Sequence, residues 1–419
     1  MISILRERSV DRLRRYGPTV LGSLASQAFS VLAIAATVSL GLDTSDAYSI
    51  GMQIGNTALT TIVLSVLYLA VIGRPSFRAW GAASAATFSV SMILGLIVVF
   101  AVSSAASSSN AEESHYGIHL IFAAGGAALA LAGVHGVRLA CHGRPFLLSL
   151  VTVIPNAALL LGVLTTRVLS GGDGNASLVL PAVCWALGAC VAAAIYWVLA
   201  TRLPHVAAIP QFNESLKSKS LHVSALAWSA GNIGLASVVL LASTSQLDPG
   251  TTTALFLISR AGTSIVTTGV NAILAVRYNW VSAANVPAHR VSRTLWLLVG
   301  LLAVTIGVIL VGGESGVALF PIAILWLYAI VVTPIASREA NARRRGGRLI
   351  AKAALETIVG GFAVLWVYLN PTPSGFFAAW TVISLAGLAA LTWRARDRSL
   401  AVMALLPLPM AVACLLLAT

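Results

Sequence analysis

The sequence predicts an all-α polytopic membrane protein, with twelve transmembrane helices in two six-helix lobes related by a pseudo-two-fold axis along the membrane normal. Three observations predict it. Hydrophobic residues make up 58% of the 419 residues, charged residues only 9%, and mean hydropathy is +0.91, against roughly 25% charged residues in water-soluble domains. Apolar runs of span length recur along the chain, separated by polar gaps that alternate in charge. Two pairs of spans, six crossings apart, look alike.

The elements follow in order. Residues 1–16 place Ile2, Leu5, Leu13 and Tyr16 on one helical stripe with arginines around the rest, the pattern of a cytoplasmic interfacial helix or of a simple orientation signal. A hydrocarbon core about 30 Å thick takes roughly 20 helical residues to cross. On that ruler the N-terminal lobe, 17–201, holds spans near 17–41, 48–72, 79–103, 117–140, 146–166 and 177–201. Pro155, mid-way along the fifth, is expected to free a carbonyl and kink it there. A polar stretch, 202–222, reads as a cytoplasmic linker. The C-terminal lobe, 223–393, holds spans near 223–244, 252–276, 294–312, 316–335, 349–369 and 374–393. Residues 394–419 are a basic loop and a further apolar segment, 399–417, whose Pro407 and Pro409 leave open whether it crosses as a thirteenth helix or re-enters.

The formal charge is +13, from 26 Lys+Arg and 13 Asp+Glu. In a soluble domain that excess would suggest nucleic acid; here it sorts by side. With a cytoplasmic N-terminus, 24 of the 26 basic residues fall on the inner side, while the outer gaps hold Asp43, Asp46, Glu112, Glu113, Asp173, Asp248 and Glu314 with Arg167 alone beside them. That is the positive-inside pattern of a multi-pass cell-membrane protein. The Arg-rich run 338–352 suits contact with anionic lipid, with ordinary topology determination as the favoured reading. No soluble module is present to read nucleic acid.

The repeat pairs the first two spans with the seventh and eighth. Leu24-Ala25 matches Leu226-Ala227, and Leu42-Asp43 matches Leu247-Asp248 in the outer turns. Gln53-Ile54-Gly55-Asn56-Thr57 aligns with Arg260-Ala261-Gly262-Thr263-Ser264, and each unit ends on an arginine, Arg74 and Arg277. An even offset means that both units cross in the same direction, which fits two parallel halves with a cavity between them near the midplane.

Several chemistries drop out. Cys141, Cys184, Cys190 and Cys414 show no Cys-x-x-Cys pair and no histidine at ligand spacing, so neither a disulfide framework nor a zinc site is expected. No Walker loop is present to hydrolyse ATP. No cofactor, metal or catalytic residue is assigned.

Arg260 is the clearest ionisable residue within a span. A cation there costs about 2.5–3.5 kcal/mol on insertion scales, and no acid lies in its helix to pair with it. It is read as a cavity cation that receives an anion such as a phosphate through charge-assisted hydrogen bonds, with backbone pairing or snorkelling as the bland alternative. Gln53, Asn56, Asn271, Asn232 and Gln27 are candidates to line the same cavity, though each also suits an ordinary interhelical hydrogen bond. Glu356 stands four residues after Lys352, a spacing that favours an ion pair over a proton-coupling site.

The layout of six and six helices, the linker after the sixth, and the polar first/second and seventh/eighth pairs resemble the multidrug/oligosaccharidyl-lipid/polysaccharide (MOP) exporter superfamily. Within it the chain is most similar to the polysaccharide and lipid-linked oligosaccharide (Wzx-like) flippases. The resemblance implies alternating access of two lobes around a central, often cationic cavity, a role that falls on Arg260. The drug-exporter branch typically carries a carboxylate within its first helices; here Asp43 and Asp46 lie in the outer turn, which favours an anionic cargo. The implied function is flipping of a polyprenyl-phosphate- or pyrophosphate-linked saccharide to the outer leaflet for cell-wall or surface polysaccharide assembly, with that glycolipid, membrane lipids and polysaccharide-assembly proteins as partners. The rivals are a membrane glycosyltransferase that takes its sugar from a polyprenyl phosphate and uses Asp43 or Asp46 as base, and another small-molecule permease.

Overall fold

The computed structural model describes residues 2–72, 77–106, 112–142, 144–169, 178–203, 216–265, 326–331, 333, 337 and 346–392. Among them the regular elements are helices. These are α1 (Ile2–Thr37), α2 (Leu42–Ile72), α3 (Phe77–Ala106), α4 (Glu112–Cys141), α5 (Pro145–Ser149), α6 (Val153–Leu169), α7 (Leu180–Thr201), α8 (Leu216–Ser243), α9 (Thr251–Ile265), α10 (Gly346–Leu369) and α11 (Pro373–Thr392). Short 3-10 turns, Val38–Leu40 and Thr244–Gln246, follow α1 and α8. Eight stretches among the described residues are long and apolar enough to cross a membrane. In lipid only a helix or a closed barrel satisfies every backbone polar group internally, and this chain takes the helical solution.

Two compact units result. Unit 1 comprises Met1–Asn213 with Asp248–Ser282, and unit 2 comprises Glu214–Leu247 with Ala283–Thr419. Although α9 follows α8 in sequence, it therefore packs in unit 1, against α1 and α2.

In unit 1, α1 runs unbroken through Pro18 for 36 residues, about 54 Å at 1.5 Å per residue. Residues 2–16 and the first span are one helix. Next, α2, α4 and α7 approach to backbone contact. A Cβ on Gly126 would lie 2.8 Å from the Gly55 Cα, and one on Gly55 would lie 2.4 Å from the Trp185 ring. Lipid tails give helices no hydrophobic reason to associate, so close packing of small residues supplies the attraction. Phe122 wedges between Tyr48 and Trp185, at ring-centroid distances of 5.8 and 4.7 Å. The polar edges of this core are satisfied. The Trp185 indole N–H donates to Asn156 Oδ1 over 3.2 Å, and the Tyr48 hydroxyl donates to the Leu178 carbonyl over 2.5 Å. This packing holds α2 rigidly, and α2 carries Asp46 and Gln53.

The fifth span departs from the sequence expectation. The helix breaks at residues 150–152, between α5 and α6, and Pro155 falls in the first turn of α6. A proline there loses no hydrogen bond, because first-turn N–H groups have no intrahelical acceptor. The break comes before the proline; no mid-helix kink forms at it.

In unit 2, α8, α10 and α11 pack around Ala225, Tyr328, Ala329, Leu349, Leu385, Leu388 and Leu391. Large apolar side chains such as Phe100, Leu161, Trp197, Phe362 and Trp366 are exposed, as expected of faces solvated by lipid.

Candidate functional site

In unit 1 three helices bring polar side chains together. Arg260 lies nine residues beyond the start of α9, about 14 Å along its axis. It is half-buried. Its Nη2 donates to Gln53 Oε1 of α2 over 3.3 Å, at the weak end of hydrogen-bond lengths. Its guanidinium carbon stands 5.0 Å from the centroid of the Phe256 ring, one turn back on the same helix, within cation–π range. One turn further on, Ser264 Oγ donates to Gln27 Oε1 of α1 over 3.0 Å. Among the described residues no carboxylate lies within ion-pairing distance of Arg260. The cation is held by an amide oxygen and a ring face, both neutral, and a guanidinium has five N–H donors.

Arg260, Gln53 and Gln27 thus gather in one patch, with Ser264 and Phe256 added by the structure. Of the other candidates, Asn56 serves its own helix: its Nδ2 donates to the Met52 carbonyl over 2.8 Å. Asn232 belongs to unit 2, where its Nδ2 donates to the Ala353 carbonyl over 3.0 Å and to Thr357 Oγ1 over 2.6 Å. Asn271 lies outside the described residues.

At the N-terminal end of α9 sits a second polar group, built on an aspartate that the sequence places in an outer turn. Asp46, in the second turn of α2, is buried at 8% exposure. Its Oδ2 accepts from the Gly250 N–H over 2.8 Å; its Oδ1 accepts from the Thr253 N–H over 2.7 Å and from Thr253 Oγ1 over 2.6 Å. The first N–H groups of a helix lack intrahelical partners and carry the positive end of its dipole. A carboxylate from α2 therefore caps α9 from outside. Thr253 Oγ1 also contacts Ser45 Oγ at 3.0 Å, and Ser45 contacts Thr37 Oγ1 at 2.8 Å. Gly250 has φ +89°, and a Cβ there would lie 3.0 Å from a Leu42 methyl; only glycine allows that turn and that approach. Asp46, one of the two acids offered as a catalytic base, has both oxygens engaged in this clasp. Asp43 is exposed.

Comparison with known proteins places the fold. No protein-family model matches the chain, and no curated protein matches it. Solved structures do. The chain is similar to an inward-facing multidrug resistance MATE family transporter of the MOP superfamily, at 16% identity and TM-score 0.55, covering 91% of this chain and 99% of that one. A MATE in complex with Br-NRF matches at 15% identity and TM-score 0.56, over 93% and 96% of the two chains. A MOP superfamily transporter from Pyrococcus furiosus, described as having a binding pocket of reverse polarity that suggests a different function, matches at 14% identity and TM-score 0.51, over 93% and 95%. At such identities the likeness is one of fold: the chain has a MATE-like helical fold. It does not single out the polysaccharide-flippase branch.

Proposed function

We propose that this protein is a multi-pass transporter of the cell membrane, N-terminus cytoplasmic, that flips a polyprenyl-phosphate- or pyrophosphate-linked saccharide from the cytoplasmic to the outer leaflet. Two six-helix lobes, twelve spans in all, would alternate access to the head group while the polyprenyl tail stays in lipid. The observation that carries this reading is Arg260, a cation nine residues into α9 whose contacts among the described residues are neutral. The Gln53 contact is long and its acceptor uncharged, whereas a phosphate oxygen brings a full opposite charge and a phosphate can take two parallel N–H bonds from the guanidinium, so phosphate would displace that contact. Gln53, Gln27 and Ser264 then offer hydrogen bonds to the first sugar.

Two further observations support it. The MATE-like fold is one in which neighbours transport, and the Pyrococcus furiosus neighbour is described as having a reversed pocket polarity; a cationic pocket on this fold suits an anionic cargo. The Asp46 clasp sits at the end that the charge pattern assigns to the outside, where it would hold an outer gate shut until a cargo favours the open state. A ligand moves such an equilibrium only by its difference in affinity for the two states, and Arg260 stands on the clasped helix.

Depletion of the protein is expected to accumulate the lipid-linked saccharide on the inner leaflet. Arg260→Ala should reproduce that accumulation and Asp43→Asn should not. Loss of sugar transfer after Asp43→Asn, with flipping intact, would instead establish the glycosyltransferase.

A further inference from the structure

In unit 2, α10 carries Lys352 and Glu356 one turn apart, 4% and 1% exposed, within a stretch long and apolar enough to cross the membrane. The Lys352 Nζ lies 2.7 Å from Glu356 Oε1 and also donates to Ser229 Oγ of α8. Ser229 in turn donates to Glu356 Oε2 over 2.8 Å. The ammonium therefore rests among oxygens, one from a carboxylate and one from a hydroxyl that the same carboxylate orients.

That shell does not depend on the lysine. Behind it stands α11, where a Cβ on Gly387 would fall 2.3 Å from Glu356 Oε1, so the carboxylate lies against helix backbone. Beside it, Asn232 ties α8 to the Ala353 carbonyl and Thr357 Oγ1 of α10. Three helices thus hold the oxygens in place. Glu356 is also the only acid among the described residues of the unit.

A carboxylate so placed must be neutralised, by a proton, by a bound cation or by a tethered one. Lysine brings a compact point charge with three donors and no acceptor. In its size class and its demand for oxygen ligands it resembles a monovalent metal ion. We infer that Lys352 is a tethered cation: it fills a monovalent-cation site built by Glu356 and Ser229, so that this unit takes up no dissolved Na+ there. The consequence for transport rests on the function proposed above; the binding behaviour does not. Cutting the lysine back to alanine leaves a polar cavity with a fixed carboxylate. Such a cavity fills with water, and hard oxygen donors select hard cations.

The test uses the purified full chain in detergent, with radioactive Na+ binding and melting measured in NaCl and in choline chloride. Wild type is expected to bind no Na+ saturably and to melt alike in both salts. Lys352→Ala should acquire a single saturable Na+ site and melt higher in NaCl, as linkage requires; Lys352→Ala/Glu356→Gln should lose both effects. Lys352→Ser, which adds a hydroxyl oxygen, should behave like the alanine variant. Saturable Na+ binding by wild type that Glu356→Gln removes would overturn the inference. So would folded Lys352→Ala and Lys352→Ser proteins that ignore Na+ and respond only to pH, and so would failure of both to fold in either salt. A Lys352→Ala protein that binds Na+ while the wild type flips no lipid would sink the proposed function and leave this inference standing.

Discussion

The two units each bury a cation in a helix and solve its solvation in opposite ways. Arg260 in unit 1 is half-buried against an amide and an aromatic face, with no carboxylate near it among the described residues. Lys352 in unit 2 is buried with its counter-charge one turn away and a serine bridging the two. Neutral groups steady a guanidinium without cancelling its charge, so its field stays available to an anion that enters. A carboxylate 2.7 Å from an ammonium cancels it, and nothing is left over for a ligand. The first arrangement suits a site and the second a filled position. A buried ion pair is no proof of stability, since apolar replacements of such pairs are often neutral or better.

The largest expected effect tests the paired side. Lys352→Met should cost about 3–5 kcal/mol of stability by leaving Glu356 buried and unpaired, and Lys352→Met/Glu356→Met should recover most of it. Unfolding in detergent with choline chloride as the salt measures both; equal losses would mean that charge is not what matters there. On the unpaired side the effect should move from stability to binding. Arg260→Met should weaken binding of a polyprenyl phosphate by about 1.5–3 kcal/mol per charged hydrogen bond lost, with little change in melting. Arg260→Lys should keep the charge yet lose the planar fork, giving an intermediate affinity. Native mass spectrometry of the lipid-bound protein reads out these differences.

Smaller effects sharpen the same contrast. Gly387→Ala forces a methyl against Glu356 Oε1 and should cost about 1–3 kcal/mol, less if Glu356 is also shortened. Asp46→Asn keeps one acceptor at the start of α9 but removes the charge and turns an NH2 donor toward the N–H that the other oxygen accepted. The cost should be about 1–3 kcal/mol, visible as hydrogen exchange faster by roughly fivefold or more at the Gly250 and Thr253 amides. Asn56→Ala, whose buried amide serves only its own helix among the described contacts, should cost about 0.5–1.5 kcal/mol and leave transport untouched.

What the sequence disclosed followed periodicity and charge. Long apolar runs mark spans because lipid demands them, and Arg260 stands out because charge within a span is costly. The aligned Gln53 and Arg260 of the repeat do touch. Long-range polar pairing was out of reach. Asp46 meets Gly250 and Thr253 across more than two hundred residues, and an aspartate at a helix start looks the same whether it caps its own helix or another. Ser229 was equally hidden, since serines are common in these helices and nothing local marks one as a bridge. Asn56 shows the opposite difficulty: an asparagine inside a helix can bond to its own helix's carbonyl at i−4, and sequence cannot separate that from a cavity position. The break before Pro155 shows how a proline's role turns on where a helix begins.

Because Lys352 and Glu356 sum to zero, the electric field across the membrane exerts no net force on their centre. Arg260 has no such cancellation, and one elementary charge carried through 100 mV is worth about 2.3 kcal/mol. Voltage should therefore act on unit 1 when Arg260 is empty, act less once a singly charged anion has bound to it, and act in the opposite sense once a pyrophosphate has. The loaded and unloaded protein would feel different forces from the same resting potential.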